Sequence, residues 1–196
     1  RPVGQQHYLG SNNWGDTETY ILTSGTNPWV FSDLPQLEQG YRYRIRTKAR
    51  DNTLPSPDGN YNDENPPAEK YFVYETSGPL ARIVIPSPTQ DTKYRTLSQL
   101  SGTAVDFPLL ATGIEKSGLK RVDVLIQDLT YPATYFNGTD WQAGIVWCTA
   151  TVSGGGEVKN WVYPASPWVT EPWTSGRKYR ILARAQDNLD IYQLPI

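Results

Sequence analysis

The sequence predicts an all-β protein made of short antiparallel strands packed as sandwiches, and three features carry that expectation. Aromatic residues are abundant (7 Trp, 13 Tyr and 4 Phe), and 16 Gly and 16 Pro punctuate the chain. Apolar residues recur with a period of two and not 3.6. Tyr43, Ile45, Thr47 and Ala49 alternate with Arg44, Arg46, Lys48 and Arg50. Successive side chains of a strand point to opposite faces, so this segment presents one uncharged face and one basic face. Tyr179, Ile181, Ala183 and Ala185 repeat the alternation. Further strands are expected over residues 71–74, 81–85, 98–105, 120–127, 145–152 and 158–163. Turn chemistry separates them at Ser77-Gly78-Pro79, Lys116-Ser117-Gly118, Asn137-Gly138 and Ser153-Gly154-Gly155-Gly156. Many short strands spaced in this way point to a sandwich.

Composition removes several classes of function. A formal charge of −2 with 19% charged and 38% hydrophobic residues is foreign to a disordered chain and to a basic nucleic-acid binder, so no nucleic-acid partner is expected. No apolar run approaches the roughly 18 residues of a membrane helix, and no membrane insertion is expected. The single cysteine, Cys148, has no internal disulfide partner, which leaves the redox compartment open. Met is absent even at position 1, so the sequence is expected to be a piece of a longer product.

The chain repeats itself. Gly40-Tyr41-Arg42-Tyr43-Arg44-Ile45 through Asp51-Asn52 returns as Gly176-Arg177-Lys178-Tyr179-Arg180-Ile181 through Asp187-Asn188. Asn27-Pro28-Trp29-Val30 returns as Ser166-Pro167-Trp168-Val169, and Tyr8-Leu9 through Asn13-Trp14 returns as Tyr135-Phe136 through Asp140-Trp141. The matches keep their order, and their offsets drift only by loop-sized amounts. The first copy begins near the middle of the second. Residues 1–76 are therefore expected to be the C-terminal part of one module, and residues 77–196 a second module without its last strand.

Leu37 and Gly40 precede Tyr43 at the same distances at which Trp173 and Gly176 precede Tyr179. This spacing resembles the tyrosine corner of immunoglobulin-like and fibronectin-type sandwiches, in which a tyrosine at the start of a strand bonds back to nearby backbone. Ala49-Arg50-Asp51 and Ala185-Gln186-Asp187 end those strands alike, and Leu100-Ser101-Gly102-Thr103-Ala104-Val105-Asp106 leads to Ser117-Gly118-Leu119. Together these stretches resemble the tandem immunoglobulin-like repeat modules of large bacterial and archaeal cell-surface proteins. The resemblance implies sandwich modules in tandem, the first incomplete. It also implies an extracellular or cell-surface location and a structural or adhesive role as stalk, adhesin or fibre. The expected partners are neighbouring modules or copies of the same protein.

Candidate chemistry is sparse. The single histidine, His7, lies near one end, and Cys148 sits in the apolar run Ile145-Val146-Trp147-Cys148, where it reads as a packed strand residue. A nucleophilic triad or a zinc site needs more than these two residues, and no enzyme is expected. The richest polar stretch places oxygen side chains at Asp58, Asn60 and Asn62, with Glu69 following at the spacing of a calcium loop. Asp51 is a further ligand candidate from the strand end. The stretch departs from the pattern in having Asp63 at the glycine position and the stiffening pair Pro66-Pro67. A solvated loop is the plainer reading, with calcium as the cofactor it would take.

The basic row Arg42, Arg44, Arg46, Lys48 and Arg50 is expected to be answered by acidic and aromatic neighbours, with an anionic partner as the alternative. Trp147 and one of Trp161 or Trp168 read as core. Trp14 and Trp141 each follow a polar turn, which suits either structural anchoring or a platform for a cell-surface polysaccharide. Asn137-Gly138-Thr139 matches a glycan acceptor. The sequence thus points to a non-catalytic scaffold. The alternatives are a carbohydrate-binding module and a filament subunit completed by strand exchange.

Overall fold

Alternating apolar positions and closely spaced turns yield strands throughout: the regular elements of the described residues are all β, and every pairing is antiparallel. The computed structural model describes residues 6–25, 28–49, 66–87, 93–106, 115–130, 132–168 and 170–193. The chain divides into two compact units, Arg1–Tyr74 and Glu75–Ile196, two residues before the boundary expected from the sequence. Among the described residues no helix is long and apolar enough to cross a membrane.

Among the described residues the first unit holds two small antiparallel strand pairs. Strands β1 (His7–Gly10) and β2 (Asn13–Gly15) pair Tyr8 with Trp14. Ser11 and Asn12, both at positive φ (50° and 59°), close their turn with the twist a tight hairpin requires. Strands β3 (Arg42–Thr47) and β4 (Ala68–Val73) pair Tyr43 with Phe72. Rings carry the packing: Tyr8 lies on Trp14 at 5.4 Å between centroids, Trp14 on Tyr43 at 6.1 Å and Tyr43 on Phe72 at 5.5 Å. The unit nevertheless leaves Trp29, Leu34 and Ile45 exposed, Leu34 at 73%.

The second unit is one sheet of eight strands curled into a half-barrel. Its strands are β5 (Leu80–Ile85), β6 (Leu100–Val105), β7 (Leu119–Asp128), β8 (Thr134–Phe136), β9 (Trp141–Gln142), β10 (Cys148–Ser153), β11 (Val158–Tyr163) and β12 (Tyr179–Asp187). The order is β5-β6-β11-β10-β7-β8-β9, and β12 lies along the other edge of β7. Strand β10 makes the bend: Cys148–Ala150 pairs with β7, whereas Thr151–Ser153 pairs with β11. The strands on either side of the bend therefore face each other across a single core. Leu100 and Trp161 come from one side, and Val122, Val124, Ile126 and Ala185 from the other, all with no exposed surface. Trp161 donates from Nε1 to the carbonyls of Arg82 (3.2 Å) and Thr103 (3.1 Å). Gly102 lets it lie there, because a Cβ at that position would collide with the Arg82 carbonyl and the indole.

The same turn precedes Tyr43 and Tyr179. Gly40 (φ 78°) and Gly176 (φ 80°) adopt the left-handed conformation that side chains resist. The phenol oxygen of Tyr43 then accepts from the backbone N–H of Glu38, and that of Tyr179 from Thr174, each at 2.7 Å. Past Asp187 the chain reverses at Leu189 and Asp190 and runs back along β12, with Tyr192 opposite Gln186. A pairing thus begins where the sequence suggested that the last strand is missing.

Candidate functional site

Among the described residues few groups are both buried and chemically unspent, so the charged residues sealed in the second unit mark where a site can lie. Asp123 (3% exposed) and Asp128 (2%) are compensated. Asp123 Oδ2 faces Arg184 Nη2 at 3.3 Å and Arg121 Nε at 3.4 Å, and Thr149 Oγ1 donates to its other oxygen at 3.1 Å. The Arg184 guanidinium in turn lies over the rings of Trp147 (4.1 Å) and Tyr192 (4.4 Å). Arg177 donates to Asp128 at 2.6 Å, and the Thr130 amide donates to its second oxygen at 2.8 Å. These groups are structural ion pairs.

Three other carboxylates are arranged differently. Glu75 is the first residue of the second unit, Asp106 follows directly on β6, and Asp187 ends β12. One oxygen of each lies within 4.8 Å of one oxygen of each of the others, and all three side chains are buried. The loop before β7 and the turn after β12 grip them by backbone amides. Ser117 N–H donates to Glu75 Oε2 at 2.7 Å and Gly118 N–H to Asp106 Oδ2 at 2.6 Å. Leu189 and Ile191 N–H donate to Asp187 Oδ1 at 2.9 and 2.8 Å. Asn188 fastens the loop by donating from Nδ2 to the Ser117 carbonyl at 2.7 Å. Glu75 Oε1 and Asp187 Oδ2 are buried and bond to nothing. Among the described residues no ion pair reaches Glu75 or Asp187. An all-oxygen set of this kind suits a hard cation and not zinc, which favours sulfur and nitrogen.

The residues singled out in the sequence are spread more widely. Asp51, Asp58, Asn60 and Asn62 lie outside the described residues, as does Arg50. Glu69 stands on β4, not in a loop, and its carboxylate is engaged by Arg44 (4.0 Å), Arg46 (3.9 Å) and the Tyr71 hydroxyl (3.1 Å). The basic row is answered from within the first unit. Arg42 lies over Tyr71 at 4.8 Å, Lys48 over Tyr20 at 5.7 Å, and Arg46 pairs with Glu18 as well as Glu69.

Trp14 and Trp141 are half-buried in aromatic stacks. Trp141 lies 5.4 Å from Phe136 and 5.4 Å from Tyr179, and its Nε1 donates to the Pro172 carbonyl at 3.3 Å. Trp14 borders a groove shared with Asn12, Gln36, Leu37 and Glu38. Trp161 is core, and Trp168 packs against it in part. Trp147 is not core, because its ring serves as the shelf for Arg184. Cys148 is buried and its thiol points at the Phe136 carbonyl at 3.6 Å. Burial, aided by the Cys148 thiol, pushes the Tyr163 phenol above its ordinary range. Asn137 is exposed, but its Oδ1 caps the turn by accepting from the amides of Thr139 (2.9 Å) and Asp140 (2.8 Å).

Sequence reasoning missed Glu75 and Asp106, which are distant in the chain and carry no spacing signal. It did offer one route to the cluster. Asp51 was a ligand candidate at a strand end, and the repeat equates it with Asp187. Comparison with family models, with curated proteins and with solved structures returns no match.

Proposed function

We propose that the chain is a stretch of a tandem array of immunoglobulin-like or fibronectin-like sandwich modules that serves as a non-catalytic structural or adhesive scaffold at the cell surface. One observation carries the reading. Tyr43 and Tyr179 follow the same left-handed glycine, accept the same backbone hydrogen bond and lie against Trp14 and Trp141 in their respective units. A shared construction of this kind is what a duplicated module leaves behind. The charge pattern agrees, since the basic face of β3 is consumed by internal partners and not held out for a substrate. Single copies of His and Cys, the Cys buried, favour holding over chemistry.

Small-angle scattering tests the reading. A tandem fragment gives a monomer whose distance distribution has two lobes, and a single-lobed particle would overturn it. The apolar residues left open on the first unit, Trp29, Leu34 and Ile45, favour a second reading in which another chain supplies the covering strands. That arrangement predicts a mass by light scattering that rises with concentration beyond one chain.

A further inference from the structure

We propose that Glu75, Asp106 and Asp187 bind one calcium ion at the root of the second unit. Three carboxylates held within 4.8 Å repel one another, and sealing them from water removes the solvent that would screen the repulsion. The molecule answers the same problem at Asp123 and Asp128 with arginines. Among the described residues no arginine or lysine pairs with Glu75 or Asp187, and Lys116, beside Ser117 in the chain, lies 3.3 Å from Glu157. What remains is a pair of sealed, partnerless oxygens, Glu75 Oε1 and Asp187 Oδ2, on side chains only 7% and 0% exposed. Buried polar atoms of native proteins are seldom left so, and an ion is among the ordinary reasons when they are.

The dimensions admit the ion. Oxygens bound to calcium at about 2.3–2.6 Å can stand at most about 4.6–5.2 Å apart, which the cluster satisfies without rearrangement. Its side chains are already fixed by the amides of Ser117, Gly118, Leu189 and Ile191, so their ordering does not have to accompany binding. The ion would tie together the lead-in to β5, the end of β6 and the end of β12, three segments far apart in the chain. It would therefore act as a staple, stabilising the folded state by mass action. This goes beyond the scaffold reading and does not rest on it. Failure to bind calcium removes the site and leaves the scattering test as it was.

The experiment uses the intact 196-residue chain at neutral pH. Calcium chloride at millimolar concentration, against excess chelator, is expected to raise the melting temperature by about 5 °C or more. The rise should vanish in Asp187→Asn and Glu75→Gln and persist in Asp58→Ala. In the wild-type chain, calcium should move the amide resonances of Ser117 and Gly118, a readout that holds even where a variant does not fold. Three results would each overturn the proposal: no rise in the wild type, a rise that survives both carboxylate variants, or resonance shifts confined to the polar stretch at residues 51–65.

Discussion

Asp128 and Asp187 are both closed off from solvent, yet they meet their charge in different ways. Burial pushes the Asp128 carboxyl upward, but the hydrogen bonds from Thr130 and Arg177 outweigh it and hold the group below its ordinary value of 3.8. A carboxyl depressed in the folded state contributes stability that is complete above its unfolded value and is lost as pH falls through the folded one. Urea unfolding in steps from about pH 6 to about pH 2 should thus show wild type losing stability more steeply below about pH 4 than Asp128→Asn. At neutral pH that variant should be weaker by about 1.5–3 kcal/mol, the range for a hydrogen bond to a charged group. Equal slopes would mean that the pair does not hold the carboxyl down. Nothing in the local sequence singles out Asp128, because its partner Arg177 arrives from a segment that only the β7–β12 pairing brings alongside.

The clearest legible element is the strand opened by a tyrosine. Period-two alternation after a glycine located β3 and β12, and the recurrence of Gly40 and Gly176 identified the turns before them. Since each phenol oxygen accepts one backbone amide, Tyr43→Phe and Tyr179→Phe should each cost about 1 kcal/mol in chemical denaturation. The two losses should add in the double variant, because the bonds lie in separate units and share no partner. A negligible cost at either site would show that the hydroxyl is not holding its corner.

The hairpins β1–β2 and β8–β9 were not legible as strands. Segments of two to four residues carry no period to detect, and their polar turns dominated the reading. Structure also corrects how they match. Tyr8 pairs with Trp14 across the first hairpin, but Phe136, not Tyr135, faces Trp141 across the second. The register slips between Tyr8 and Gly10, where Leu9 bulges out and absorbs the extra residue.

For the molecule as a whole, the two units differ in how much apolar surface they bury. The second has a core with five large apolar side chains at no exposure, while the described strands of the first form two small pairs and leave Leu22, Leu34 and Ile45 open. Limited proteolysis of the native chain should cut first within residues 6–74 and leave a fragment that begins near Glu75. Earlier cleavage in the second unit would reverse that ranking. The all-β class was legible from strand period and turn chemistry, because both are local. How the strands are shared between facing layers was not legible, since it depends on which neighbour each half of β10 selects. The acidic cluster was illegible for the same reason: its members meet only after β5, β6 and β12 have converged.

The divided allegiance of β10 has a mechanical corollary. A strand that belongs to both walls of the half-barrel denies the unit an inexpensive hinge. Prising the walls apart means unzipping a shared seam from one wall or the other, which couples the loss of one wall to the loss of its opposite. Heat, denaturant or tension should consequently meet this unit as a single latch that is either shut or fully sprung.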